Sequence, residues 1–369
     1  MEATATDNKE WAPDLAVHPG IILEEYLAAR DLSQADFARI AGFTPKLVSE
    51  IITGKNPISP ETAIVLERVL GMKAYIWTGI QAEWDLHVAR KKVTESASDH
   101  SGWLSHFPIK ELKARKVLPD TKDQGILCEA LLKLLQIGKP EGLRGRFRAL
   151  SPQYRQSIAH PASQEAIITW LALAERQARK MMLPSYSGNQ FGHSVHEIRK
   201  LTLGSPSVFQ SKMIDQCARA GVALVFEREI SKTRLFGAAV WFQPENPMIV
   251  MSLRMKTNDH FWWTFFHECG HVMLHQGKNF LDDQDGEDGI FEDQANRWAL
   301  EILVGCSRYE NFRAAMPRSE LAVRTFANSV AVHPGIVVGM LQHDHVVPHR
   351  NLNRLKERFE WAEEFSTSR

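Results

Sequence analysis

The chain has 369 residues, with 44 Lys and Arg against 44 Asp and Glu and a hydrophobic fraction of 44%. This length exceeds the usual size of one domain, so two or three units are expected, each with its own core. Residues 1–14 lack the apolar core of a secretory signal, and no run of about eighteen apolar residues is free of charge, which argues against export or a membrane role and favours a cytoplasmic protein. Four dispersed cysteines without CxxC spacing predict reduced thiols rather than disulfides or a thiolate zinc site.

Residues 18–71 have the pattern of closely spaced short helices. Ser33 is predicted to cap one helix and Gly42 to make the turn that follows. Thr44 is predicted to cap the next helix, with Pro45 at its first position, where proline is well tolerated. The apolar positions that would close these two helices against each other are Ala38, Ala41, Leu47, Val48 and Ile51. The pattern is that of a helix-turn-helix.

The same segment, through LSQADFARIAG, VSEIITGK and PISPETAIVLERVLG, resembles XRE-type repressor domains, particularly those of HigA-type antitoxins. The resemblance implies an operator DNA partner, contacted by Gln34, Thr44, Lys46, Ser49 and Lys55. Thr44, Lys46 and Ser49 would face the bases, and the other two would hold phosphates.

Two features of this region oppose tight DNA binding. Glu50 stands where glutamine is commoner, and its carboxylate repels phosphate unless it accepts a hydrogen bond from cytosine. Residues 1–90 also hold 8 Lys and Arg against 13 Asp and Glu, a net charge of −5. The alternative interpretation is a dimerisation or partner-binding module that keeps the fold without the groove contacts.

The rest of the chain predicts an α+β, multidomain protein. A polar stretch at 93–102 is expected to be a linker or a frayed helix end, and residues 107–185 carry helical patterns. After Gly221, the runs VALVFE, GAAVWF and MIVMSL predict three strands, and helices resume from Asn258. The tail, 319–364, is predicted to be helical with a break at Pro334-Gly335. The predicted divisions are a helix-turn-helix domain at 1–92, a helical middle segment at 93–185, a domain of helices and a small sheet at 186–310 and C-terminal helices at 311–369.

The segment FWWTFFHECGHVMLH carries an H-E-x-x-H arrangement within an apolar helical run. His267 and His271, four residues apart, would share one helix face, so that two imidazoles can grip one zinc ion. Glu268 would lie beside the metal and take a proton from water, which is the chemistry of peptide hydrolysis. A chance match within a core helix is the competing interpretation, but buried polar groups need partners, and a metal would supply them.

Zinc held by two protein ligands would bind weakly, so a third ligand is expected downstream. Glu292 is the preferred candidate, and Asn296 one turn later would hydrogen-bond a ligand histidine, as in thermolysin-like arrangements. His275 lies a further turn along the first helix, away from a shared metal. The acidic alternatives are Asp282, Asp283, Asp285, Glu287 and Asp288, which are more simply explained as a solvated loop. The weak candidates for stabilising an oxyanion are Arg254, His260 and Tyr309.

These two segments, HECGH followed by EDQANRWALEIL, resemble the ImmA/IrrE family of zinc metallopeptidases. The resemblance implies a zincin-like fold, Zn²⁺ bound by His267, His271 and Glu292, and Glu268 as general base. It also implies a bacterial-type regulator of the toxin-antitoxin or stress-response kind that cleaves a protein partner, such as a repressor or a toxin-linked protein. The alternative is an antitoxin-like binding protein whose zinc site is structural or sensory. A homodimer is compatible with either interpretation.

Overall fold

The computed structural model of the chain describes residues 16–97, 101–150, 163–282 and 289–361. The chain divides into two units, Met1–Asp99 and His100–Arg369. In the described ranges the first unit is helical, and the second combines helices with one small sheet, so the fold is α+β and multidomain. No described helix is by itself long and apolar enough to cross a membrane; one pair bent by 114°, Glu320–Ser329 with Pro334–His343, meets that criterion jointly, by length and composition.

The helices of the first unit are α1 (Pro19–Ala28), α2 (Gln34–Ala41), α3 (Pro45–Ile52), α4 (Pro60–Leu70) and α5 (Ala74–Ala97). The predicted caps are confirmed: the Ser33 hydroxyl accepts from the Asp36 backbone N–H and the Thr44 hydroxyl from that of Leu47. Gly42 ends α2 at a φ of 70°, a left-handed conformation that glycine adopts without strain. The core centres on the fully buried Leu23, Phe37, Val48, Ile51, Leu66 and Trp77. Helix α5 continues to Ala97, through part of the predicted linker.

The second unit begins with α6 (Ser101–Leu104), α7 (Ile109–Ala114), α8 (Gln124–Leu135), α9 (Leu143–Leu150), α10 (Gln164–Ala178), α11 (Gly188–Arg199) and α12 (Pro206–Arg219). It continues with β1 (Ala223–Phe226), β2 (Gly237–Gln243), β3 (Asn246–Met251), α13 (Asn258–Leu274), β4 (Phe280–Asp282), α14 (Gly289–Leu303), α15 (Cys306–Ala314), α16 (Glu320–Ser329) and α17 (Pro334–His343).

The described sheet has four strands in the order β1-β3-β2-β4, where three were predicted. Strand β1 is parallel to β3, and β2 pairs antiparallel with both β3 and β4. The prediction missed β4 because three residues are too few to show an alternating pattern, and the acidic run after them favours a loop. Residues 283–288 lie outside the described part of the chain.

Helices cover both faces of the sheet. On one face, Leu224, Ala239, Ile249 and Met251 join the core around α13. Their neighbours along each strand point the other way and are also buried, and α10 packs there against β1 and β3. Strand β3 is therefore buried at every position, as expected of a strand covered on both sides.

The tail departs from the prediction. Helices α16 and α17 form on either side of the predicted break, but the described chain after His343 is irregular apart from a short 3₁₀ turn at Asn353–Leu355. His345 and Leu352 adopt positive φ angles of 57° and 62°, and Pro348 lies between them, so a continuous helix is excluded. Instead, the backbone N–H of Glu357 donates to the Asn258 side chain at 3.1 Å, which anchors the tail to the start of α13.

Candidate metal centre

Helix α13 is the buried scaffold of the site. Its apolar side chains enter the main core, and the polar residues of the H-E-x-x-H segment are buried with them: His267 is 3% exposed, Glu268 0% and His271 1%. Burial of three ionisable groups on one helical turn is costly unless each has a partner. Both histidines contact a carboxylate on α14.

Two imidazoles and one carboxylate converge between these helices. The Nε2 atoms of His267 and His271 are 3.0 Å apart. The Glu292 carboxylate lies 3.0 Å from the first of these atoms and 3.2 Å from the second. Among the described residues, these three form a group whose donor atoms all lie within 4.8 Å of one another.

Small residues allow the two helices to meet this closely. A Cβ on Gly270 would lie 3.1 Å from both the Cα and the carbonyl oxygen of Ala295. Gly270 therefore sets how near α14, and with it Glu292, can come to the histidines. Neither small residue was singled out from the sequence, although a glycine and an alanine at the facing positions of two helices would have been the signal.

The Nδ1 side of each histidine is also engaged. His267 Nδ1 lies 2.9 Å from the Asn296 Oδ1 atom, and because an amide oxygen only accepts, this Nδ1 carries the hydrogen. His271 Nδ1 lies 3.2 Å from His275 Nδ1. His275 is thus near the site but is not one of the three converging groups.

The protonation states suit metal binding. Burial lowers the pKa of His271 to about 4, so its imidazole is neutral at pH 7. Burial raises the pKa of Glu292, but the two imidazoles in contact with its carboxylate outweigh burial and hold that pKa at about 2, so the carboxylate is anionic at pH 7. An electron pair on nitrogen and an anionic carboxylate, pressed to within about 3 Å, are stable together only around a positive charge.

The donor set and its spacing fit zinc. Tetrahedral zinc with bonds of about 2.0–2.1 Å places its ligand atoms about 3.3 Å apart. The observed separations of 3.0 to 3.2 Å are close to that value. Imidazole and carboxylate ligands would also accept manganese, cobalt or iron.

Glu268 occupies a separate place beside the sheet. A Cβ on Gly237, at the start of β2, would lie 2.7 Å from Glu268 Oε1 and 2.7 Å from Thr264 Cγ2. The Glu268 carboxylate therefore packs directly against the Gly237 backbone, in the space that a side chain at position 237 would fill. Gly237 was not recognised from the sequence as part of the site, because its role depends on which helix crosses the strand.

The three weak oxyanion candidates have other contacts. The Tyr309 hydroxyl donates to Asp344 at 3.0 Å, and the Arg254 guanidinium donates to the Arg234 backbone carbonyl. His260 stacks on Phe236 with ring centroids 6.2 Å apart. Of the acidic alternatives to Glu292, Asp283, Asp285, Glu287 and Asp288 lie outside the described residues, as does the side chain of Asp282.

In the first unit, the residues predicted to contact DNA are all exposed: Gln34, Thr44, Lys46, Ser49 and Lys55. Lys46 pairs with Glu50 across one turn of α3 at 3.7 Å. The acidic side chain thus partly neutralises the lysine that was predicted to reach the bases.

Comparison with known proteins identifies both regions. Residues 23–77 match the helix-turn-helix family, and residues 217–337 match the IrrE N-terminal-like domain of the M78 peptidase type. An uncharacterised HTH-type transcriptional regulator, YddM, of Escherichia coli is 37% identical over 78 residues, which are 21% of this chain and 83% of that protein. Virulence-associated protein I of Dichelobacter nodosus is 36% identical over 77 residues, 21% of this chain and 71% of that protein.

Two solved structures are similar over the same part of the chain. An antidote protein of a plasmid maintenance system from Nostoc punctiforme is 31% identical, covering 22% of this chain and 88% of that one, with a TM-score of 0.21. An addiction module antidote protein of a HigA family from Coxiella burnetii is 27% identical, covering 23% and 92%, with a TM-score of 0.21. The chain belongs to the helix-turn-helix transcriptional regulators. It combines a helix-turn-helix domain with an IrrE-like, M78 peptidase-type domain.

Proposed function

We propose that this regulator is a zinc-dependent endopeptidase, with a zincin-like domain within residues 186–310 that cleaves a protein partner. The observation that carries the proposal is the convergence of the His267, His271 and Glu292 donor atoms within 4.8 Å. Asn296 orients one of the two imidazoles by accepting its Nδ1 hydrogen.

Each residue of the site has a distinct role in this proposal. The two histidines and Glu292 hold the metal, which, when bound, supplies a Lewis acid that polarises a carbonyl and lowers the pKa of water. Glu268 accepts the proton from the attacking water and delivers it to the leaving amine. The close contact between Glu268 and Gly237 limits the Glu268 carboxylate to a narrow range of positions.

The first unit would bring the peptidase to an operator. We place the helix-turn-helix domain at 1–92, the helical middle segment at 93–185 and the C-terminal helices at 311–369. The DNA contacts would come from Gln34, Thr44, Lys46, Ser49 and Lys55. The partner to be cleaved would be a repressor or a toxin-linked protein in the cytoplasm, and a homodimer is compatible with this role.

The metal site is tested by zinc content. His267→Ala, His271→Ala and Glu292→Gln should each lose most of the zinc that the wild-type protein retains. Asp293→Asn is the control, because it removes an exposed carboxylate next to Glu292 that lies outside the converging group. Full zinc occupancy in Glu292→Gln would exclude this third ligand.

The catalytic role is tested separately with Glu268→Gln, which is nearly isosteric and should keep zinc. If the protein is a peptidase, this variant should no longer cleave a protein that the wild type cleaves in an assay of the products of neighbouring genes, while its DNA binding is retained. Cleavage at the wild-type rate would contradict the role given to Glu268.

A sensory or structural zinc site is the second candidate, and the complete burial of Glu268 is the observation that favours it. A general base must reach water, and the Glu268 carboxylate is shielded from water in this structure. In that case Glu268→Gln would leave regulation of the operator unchanged, and removal of zinc would alter it.

A further inference from the structure

His271 begins a chain of hydrogen bonds that leads away from the metal site to the surface of α14. His271 Nδ1 lies 3.2 Å from His275 Nδ1, and the opposite ring nitrogen of His275, Nε2, lies 2.8 Å from the Oε1 atom of Gln294 on α14. We propose that His275 and Gln294 are positioning residues that select the tautomer in which His271 binds the metal. The inference rests on the proposed metal site and adds two residues to it.

The position of each hydrogen along the path determines which ring nitrogen donates. The amide oxygen of Gln294 only accepts, so His275 must carry its hydrogen on Nε2. A neutral His275 then has a bare Nδ1, which can only accept. His271 must therefore donate from its own Nδ1, and its Nε2 is left with an electron pair directed at His267 and Glu292. The opposite order of donors would place a hydrogen on the nitrogen that has to bind the metal.

The surroundings of His275 support a defined ring orientation. His275 is 5% exposed and is the capping residue that directly follows Leu274, the last residue of α13. The Phe291 ring meets it edge to face, with centroids 4.9 Å apart. Lys278 Nζ lies 4.1 Å from the centre of that same Phe291 ring, on which it packs. A ring held in this way cannot turn to exchange its two nitrogens without disturbing its neighbours.

The hydrogen bonds of His271 resemble those of His267, the other histidine of the site. His267 donates directly to Asn296, whereas His271 reaches Gln294 through His275. Both acceptors belong to the same turn of α14 that carries Glu292. His275, which is one turn too far along α13 to bind the metal with its neighbours, spans the distance between His271 and that turn.

The test is the zinc affinity of four variants, measured by competition with a chromophoric chelator. His275→Leu removes the acceptor and should weaken zinc binding about 10- to 100-fold, the range for groups that orient metal ligands. His275→Asn should restore most of the affinity, because an asparagine Oδ1 atom lies where the histidine Nδ1 was and accepts the same hydrogen. Gln294→Met should weaken binding as well. Gln276→Met, the same change at an exposed glutamine near the site, should have no effect.

A spectroscopic readout separates orientation from packing. In the zinc-bound protein with ¹⁵N-labelled histidine, the His271 Nδ1 hydrogen should be protected from exchange in the wild type and in His275→Asn, and exposed to it in His275→Leu. Equal affinity in the wild type, His275→Leu and Gln294→Met would overturn the inference. If His271→Ala also binds zinc normally, then the metal site itself is wrong, whereas loss of zinc in that variant alone refutes only the path through His275.

Discussion

Gly237→Ala is the substitution by which the structure most directly tests Glu268. The added Cβ would lie 2.7 Å from Glu268 Oε1, 2.7 Å from Thr264 Cγ2 and 3.0 Å from Glu268 Cγ. Ordinary contact between carbon and oxygen requires about 3.3 Å, so the carboxylate must move by roughly 0.6 Å or the strand must withdraw. The backbone at Gly237 does not have a positive φ, so the effect comes from this contact alone.

The expected result is a loss of activity without loss of metal. A displacement of a catalytic group by about 1 Å can lower the rate about 100-fold. The expected shift of the carboxylate, roughly 0.6 Å, should therefore lower kcat about 10- to 100-fold, which raises the activation barrier by about 1.4 to 2.7 kcal/mol. Overpacking should also cost about 1–3 kcal/mol of unfolding free energy. Zinc content should match the wild type, because Glu268 is outside the converging group.

Gly192→Ala is the matched control. A Cβ on Gly192 would meet only Met273 Cε at 3.6 Å, an ordinary contact, and the residue lies within α11. Alanine is the better helix former, so this variant should be stabilised by up to about 1 kcal/mol and keep its kcat. If Gly237→Ala remains folded and still cleaves the partner at the wild-type rate, the contact between Gly237 and Glu268 does not position the carboxylate for catalysis.

Three further predictions concern other parts of the chain. Gly270→Ala should push α14 away by a few tenths of an ångström, since its Cβ would lie 3.1 Å from Ala295, and weaken zinc about tenfold or more in a chelator competition. Glu50→Gln should change stability by less than about 0.5 kcal/mol, because the Lys46 side chain is 84% exposed and that of Glu50 is 32% exposed, so water screens the pair. The same change should steepen the salt dependence of binding to duplex DNA by about 0.9 in the log–log slope, and an unchanged slope would place α3 away from the phosphates. Burial raises the pKa of Glu227 to about 7 despite the nearby Arg115, so the folded state holds this proton more tightly than the unfolded state. The wild type should therefore lose stability relative to Glu227→Gln as pH rises from about 4.5 to 7, by at most about 3 kcal/mol, and unfolding curves that stay parallel over this range would contradict it.

Features set by neighbouring residues could be predicted from the sequence. The Ser33 and Thr44 caps and the turn at Gly42 depend on local hydrogen bonds and on one backbone conformation, and the structure shows each of them. The H-E-x-x-H spacing likewise specifies one helix face. Spacing along one helix could not select Glu292, because this residue lies on α14 and the histidines lie on α13. Glu292 was selected from the helical pattern of α14 and from a family resemblance.

Features that depend on tertiary contact could not be predicted. Strand β4 exists only through its pairing with β2, and its three residues carry no pattern of their own. The irregular tail is held by contacts with the start of α13 rather than by helical periodicity. Gly237 has no distinctive neighbours in the sequence, whereas Gly270 lies within the H-E-x-x-H segment. At both positions, only the strand or helix that approaches the glycine shows why a side chain would not fit.

The composition of α14 has a consequence for the stability of the site. Glu292, Gln294, Ala295 and Asn296 lie within five consecutive residues, and they supply a carboxylate, two hydrogen-bond acceptors and the small surface that faces Gly270. The orientation of both imidazoles and the position of the third donor therefore depend on one helix–helix contact. Since a ligand that binds only the folded state stabilises it by about 2.7 kcal/mol at 100 times its Kd, zinc bound here would strengthen the contact between α13 and α14. That contact in turn sets the affinity for zinc, so binding of the metal and packing of the two helices are a single linked equilibrium.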